Sequence, residues 1–370
     1  MKGKRAPFLI LAGLVIAVQL VTTLTGTEFY LTQLIMAALY SIVVIGLCLL
    51  MGYAGQISLG HAGFFAIGGY TAATLTTLNL FPYRATFIVR LLEKSGLILS
   101  DTNSWGAEIL YLSPWLSLIA ALLISGSVAF LIGIPVLRLK GHYLAMATLG
   151  FGTIVYRIAL GSAIFGEADG ISDVPGFPLL GGLIIDGSRS QRVFCYYFVW
   201  VLVLGLLTLV SNLVDSRSGR ALRAIHGNEE AAEAMGVDTS RLKLYLFVLS
   251  ALFATIAGVF LTHYNGGLGP SEAGVMKSVR YVAIVAVGGM ASLWGTLSAG
   301  ILLNFLSLRG YFGSLDDAVF GSVLIAVMLF APQGILRHFR PNRSAEEKAQ
   351  KKKSEKSQPQ TEKEKSHGAP

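Results

Sequence analysis

Residues 30–51 read YLTQLIMAALYSIVVIGLCLLM, a stretch without a single charged side chain. A helix of roughly 17–25 apolar residues is what crosses a hydrocarbon core of about 30 Å. Helix is the form it must take there, because a lone strand leaves its backbone polar groups unsatisfied in lipid. Comparable apolar runs recur along the whole chain. They are expected at about 8–24, 57–80, 112–136, 142–164, 194–214, 244–264, 276–290, 294–309 and 317–333. Hydrophobic residues make up 54% of the chain and charged ones 14%, with a mean hydropathy of +0.64. A soluble fold of that composition would expose too much apolar surface. The expected fold class is therefore an all-α polytopic membrane protein with about ten transmembrane helices. Within 276–309, Gly288, Gly289 and Gly295 mark either a turn between two short helices or one bent helix.

Orientation follows from the basic residues. Lys2, Lys4 and Arg5 precede the first run, which ends in Thr-Leu-Thr-Gly-Thr with no small-x-small cleavage site, so it reads as a retained helix and not a signal peptide. With the N-terminus inside, an even number of crossings places Arg138 and Lys140, the loop 215–243, Arg337, Arg340 and the C-terminus all in the cytoplasm. Arg84, Arg90, Lys94, Arg189 and Arg192 fall outside, in longer segments interspersed with Glu93, Asp101 and Asp186. The chain thus divides into cytoplasmic residues and first helix (1–29), a transmembrane region (30–336) carrying the cytoplasmic loop 215–243, and a basic tail (337–370). From 341 onward the tail has too few apolar side chains to bury a core and is expected to be disordered, with weak attraction to anionic lipid.

The formal charge of +8 lies largely in loops and tail, so it speaks for membrane orientation and not for nucleic acid. Cys48 and Cys195 sit far apart inside apolar runs and make neither a disulfide framework nor a redox pair. The six histidines form no metal-binding pair, and there is no nucleophile elbow and no phosphate loop. Catalysis, a metal and a bound cofactor are therefore not expected of this chain.

Two stretches stand out against the apolar background. GYAGQISLGHAGF at 52–64 concentrates glycine with Gln56, Ser58 and His61. At membrane depth such a stretch packs against protein or lines a wet cavity, as the broken helices of transporters do. Gly55, Gln56, Ser58, Gly60, His61 and Gly63 are the candidates for a solute path. The competing reading is close helix packing, with His61 as an interhelical hydrogen-bonding group. GMASLWG at 289–295 echoes the spacing of Gly55–Leu59, as an internal repeat would. All 21 acidic residues fall in loops, at span edges or in the tail, which argues against ion coupling through a mid-membrane carboxylate. Arg157, well inside a span, is accounted for by snorkelling to the outer interface.

The second stretch is the loop DSRSGRALRAIHGNEEAAEAMGVDTSRLK at 215–243. Asn228 can cap a short helix whose first turn holds Glu229 and Glu230, the favoured charge at that end of the dipole. Gly236 can end it in the left-handed conformation, and Asp238 offers a second cap. Ala232 and Met235 give it a small apolar face suited to docking in the cytoplasm, where Glu229 and Glu230 are expected to meet basic groups of a partner.

Residues 219–236 resemble the coupling loop of ABC importer permeases, whose short helix sits in a cleft of the ATPase subunit. Together with GYAGQISLGHAGFFAIGGYTAA at 52–73, RLKGHYLAMATLGFG at 138–152 and ADGISDVPG at 168–176, in that order, the chain resembles branched-chain amino-acid permeases of the LivM type over roughly 30–336. Urea permeases of the same superfamily share much of this pattern. The resemblance implies the ABC importer permease fold, with Gly219, Arg220, Arg223, Asn228, Glu229, Glu230, Ala231, Ala232, Glu233 and Gly236 in the ATPase-coupling loop. It also implies a LivH-type sister permease, two cytoplasmic ATPases that use ATP, an extracytoplasmic binding protein and a bacterial plasma membrane. A channel or ion-driven carrier working alone is the alternative.

Overall fold

The computed structural model describes residues 2–83, 86, 98–102, 108–139, 141–179 and 182–330. The tail at 337–370, Lys140 and the outer basic residues Arg84, Arg90 and Lys94 lie outside them. The apolar runs become α1 (Lys2–Leu24), α2 (Phe29–Ala54), α3 (His61–Thr77), α4 (Pro114–Val136), α5 (His142–Gly161) and α6 (Arg192–Asp215). Two short helices follow, α7 (Arg217–Gly227) and α8 (Glu229–Ala234), then α9 (Thr239–Asn265), α10 (Val275–Gly288), α11 (Leu293–Leu308) and α12 (Asp316–Phe330). Six of the described helices, α1, α2, α4, α5, α6 and α9, are long and apolar enough to cross a membrane. The stretch 276–309 is two helices separated by a turn, the first of the two alternatives its glycines allowed.

Burial sorts these helices by role. α2 and α9 form the centre, packed against each other and against α3, with α4 on α9 and α11 on α2. α1 lies at the rim with Leu9, Ile10 and Leu24 exposed, which is the expected surface of a helix that faces lipid. α2 is apolar all round because protein surrounds it, and from Ala37 to Ala54 every residue is buried.

The expected all-α architecture needs one correction. Among the described residues, three two-stranded antiparallel ladders sit in the connections: β1 (Ile98–Thr102) with β2 (Glu108–Leu112), β3 (Ile171–Ser172) with β6 (Gly267–Leu268), and β4 (Phe177–Pro178) with β5 (Ile184–Ile185). Each gives hydrogen-bond partners to loop backbone that has no helix to satisfy it. The β3–β6 pair, with register Ile171↔Leu268, also fastens the connection after α5 to the one after α9.

Past β6 the chain turns inward through a 3₁₀ turn at Pro270–Ala273, which packs on α3 and α5 before α10 begins. α10 ends at the turn 289–292, where the echo of the glycine-rich stretch proves to be a spatial neighbour of it. A Cβ added to Gly52 would lie 1.6 Å from the Met290 carbonyl oxygen, so only glycine fits there. The Tyr53 hydroxyl donates to Ala291 O at 3.0 Å and the Cys48 thiol to Met290 O at 3.2 Å.

Candidate coupling surface and solute path

α7 begins where Ser216 caps it, accepting from Gly219 N–H at 3.3 Å. Leu222 and Ile225 are buried on one side, so the helix lies along the protein and packs on α2 and α6. Arg223 reaches back to donate to Val214 O, an α6 carbonyl with no partner in its own helix, at 3.0 Å.

α8 is built as its local sequence dictates. The Asn228 Oδ1 accepts from Ala231 N–H at 3.0 Å, with Glu229 and Glu230 in the first turn. At the other end Gly236 has φ 83°. There Gly236 N–H donates to Glu233 O and Val237 N–H to Ala232 O, the paired bonds of a Schellman motif. Asp238 then caps α9, accepting from Arg241 N–H at 3.1 Å.

Of the two carboxylates in the first turn, Glu230 is exposed and Glu229 is engaged within the chain. Glu229 pairs with Lys243, one turn into α9, whose side chain is only 8% exposed. The Thr239 hydroxyl donates to Glu233. Glu229 is turned inward because an ammonium buried there requires a counter-charge. Ala232 is likewise buried against its own chain, while Met235 is 85% exposed. The surface α8 presents outward is therefore Met235 with Glu230, Ala231, Glu233 and Ala234, while Glu229 is half-buried.

The loop also touches the other candidate site. Gly55 ends α2, and a Cβ there would lie 3.0 Å from Nδ1 of His226 on α7. Beyond it the candidate residues are mostly committed to packing. The Ser250 hydroxyl donates to Phe247 O at 2.8 Å, leaving its oxygen to accept from His61 Nε2–H at 3.0 Å. His61 Nδ1 then accepts from Ser58 Oγ at 3.1 Å, so the network assigns the Nε2–H tautomer. A Cβ on Gly60 would meet Thr148 O at 2.7 Å, and one on Gly63 would meet Gly152 Cα at 3.3 Å. Those two glycines let α3 and α5 cross in close contact. Gln56 is buried with its Oε1 unpartnered among the described residues.

A group that the sequence reading missed lies deeper. Glu272, in the inward 3₁₀ turn, accepts from the hydroxyl of Tyr40 near the middle of α2 at 3.1 Å and pairs with Lys277 at 2.8 Å. Arg280 bonds Ser307 Oγ at 3.0 Å and pairs with Asp316 at 2.7 Å. A carboxylate from a turn between spans thus packs part-buried against the middle of α2, a contact that the sequence reading did not anticipate. Glu272 lies two residues after Pro270, between apolar runs, and nothing local shows that the chain folds inward there. The signal available was Lys277, a charge standing just inside a predicted span.

Arg157 is exposed on α5 and has no ion pair or side-chain hydrogen bond among the described residues.

A family model described as the permease component of branched-chain amino acid transport systems matches residues 29–331. The high-affinity branched-chain amino acid permease protein LivM of Salmonella typhimurium is 31% identical over 329 residues, covering 83% of this chain and 69% of the relative. LivM of Escherichia coli is also 31% identical, over 82% of this chain and 69% of its own length. BraD of Pseudomonas aeruginosa is 24% identical over 83% of this chain and 95% of its own. No solved structure matches. With a matched region that spans nearly all the described helices, this multi-pass membrane chain is a transport permease, not an enzyme, and belongs to the branched-chain amino acid permease family.

Proposed function

We propose that this chain is one permease subunit of an ATP-driven importer for branched-chain aliphatic amino acids in a bacterial plasma membrane. The observation that carries the reading is α8, a helix too short to stand alone. It is capped at both ends, clamped to α9 through Glu229 and Lys243, and presents Met235 outward. A pair of cytoplasmic ABC ATPases docks there and uses the ATP, while this chain binds no cofactor itself. A homologous permease of the LivH kind completes the solute path, and an extracytoplasmic binding protein delivers the solute. The relatives named LivM and BraD, described as permeases of high-affinity branched-chain amino acid transport, support this assignment.

In the same reading α3, α10, α11 and α12 cross or re-enter the membrane beside the six long helices, giving ten segments with both termini cytoplasmic. The stretch holding Gly55, Gln56, Ser58, Gly60, His61 and Gly63 shapes the path by setting α3 against α5. The His61–Ser250 bond ties that stretch to the helix on which the ATPases pull.

Reconstitution in liposomes with the sister permease, the ATPases and the binding protein tests this. Leucine should accumulate with ATP and not without it. Leucine transport by the purified chain alone, without nucleotide, would refute the reading.

A further inference from the structure

α5 is a membrane helix with an exposed charge. Arg157 stands within it, exposed and without an ion pair or side-chain hydrogen bond among the described residues. Lipid is a costly neighbour for that guanidinium. Thr153, Arg157, Gly161 and Ser162 border a shallow, open patch along α5 and its C-terminal cap, and Cβ atoms added to Gly150 or Gly161 would meet nothing within 4 Å. Ile154 and Ile158 form part of this patch and at the same time part of the wall of a cavity, of about 620 Å³, between α3, α4 and α5. That cavity falls in the size range of pockets that enclose small ligands, about 300–1,000 Å³. Its walls are aliphatic and aromatic, Val128, Ile132 and Phe151 among them. Two hydroxyls on it, those of Tyr70 and Thr74, are buried and have no partner among the described residues.

A guanidinium without a partner, an apolar cavity sharing its wall and two unsatisfied hydroxyls together fit one class of solute. It carries a carboxylate, an aliphatic chain and an ammonium group. We infer that Arg157 receives the carboxylate of the transported amino acid on a water-lined face of α5, with its aliphatic side chain entering the cavity between α3, α4 and α5. The Tyr70 and Thr74 hydroxyl oxygens accept from the ammonium. The guanidinium suits this task because its fork of donors matches a carboxylate in two bonds. This inference rests on the importer reading above, and it names the contact within that path.

The test uses the assembled importer in liposomes. Cys48 and Cys195 are both buried, so cysteines introduced at Thr153→Cys and Gly161→Cys can be read with a membrane-impermeant maleimide. Both should be labelled, and saturating leucine with ATP should slow labelling of Thr153→Cys. Arg157→Gln should lower leucine uptake at least tenfold with the amount of assembled importer in the liposomes unchanged, and Arg157→Lys should retain more uptake than Arg157→Gln. Absence of labelling at both positions overturns the inference, since it makes this face a lipid face. Labelling with wild-type uptake in Arg157→Gln also overturns it, leaving Arg157 as an interfacial anchor. A wild-type importer that takes up no leucine with ATP sinks the importer reading itself, a result distinguishable from the other two.

Discussion

Replacing Gly236 by valine acts on a single backbone angle. The residue closes α8 at φ 83°, and an added Cβ would meet nothing within 4 Å, so the cost is conformational and not steric within this chain. Holding an ordinary L-residue in the left-handed region costs about 1–2 kcal/mol, and a β-branched one stands at the upper end. What opposes that cost is local: the Glu229–Lys243 pair, the Thr239–Glu233 bond and the burial of Ala232. α8 has six residues and no cooperative length to resist. A penalty of that size lowers the population of the docked helix by a factor of about 5–30. ATP-driven leucine uptake in the reconstituted importer should fall accordingly in Gly236→Val, while the amount of folded protein in the membrane stays the same. Gly236→Ala should fall less, and Gly236→Asn should be close to wild type, because asparagine tolerates this conformation. Equal losses in all three variants would refute the argument, since they would show that a partner excludes any side chain there. Normal uptake in Gly236→Val would remove α8 from the coupling role.

Two further outcomes follow from buried polar groups. Ser250→Ala leaves His61 Nε2–H without its acceptor, at a cost of about 1–3 kcal/mol. It should lower the melting midpoint of the detergent-purified protein, whereas Thr208→Ala, at an exposed intrahelical bond, should not; an unchanged midpoint for Ser250→Ala would count against the bond. Lys277→Met strips Glu272 of its counter-charge in a part-buried site, a change worth about 3–5 kcal/mol when a buried pair is broken. The yield of folded protein should drop in that single variant and recover in Lys277→Met with Glu272→Gln, and no recovery would show that the pair is not the cause.

What the sequence disclosed was local. Asn228, Gly236 and Asp238 cap as expected because a cap needs only its own backbone and the three or four residues beside it. Helix limits follow the apolar runs because lipid rewards length and apolarity together. What it concealed depends on residues far apart in the chain. Glu229 faces inward because Lys243 arrives from α9, and His61 is satisfied by Ser250 on the same helix. Lys243 and Ser250 are two helical turns apart and share a face, a spacing from which their inward direction was available. Glu272 stayed hidden because an inward 3₁₀ turn has no periodicity to betray it.

The contact between Gly52 and the turn at 289–292 limits how this molecule can move. Carbonyls of Met290 and Ala291 are held by Cys48 and Tyr53, and the backbones meet with no side chain between them to slide or repack. Such a joint transmits displacement and does not absorb it. The end of α2 and the turn that joins α10 to α11 therefore travel as one body, and the hinge that opens the path to one side of the membrane or the other must lie elsewhere.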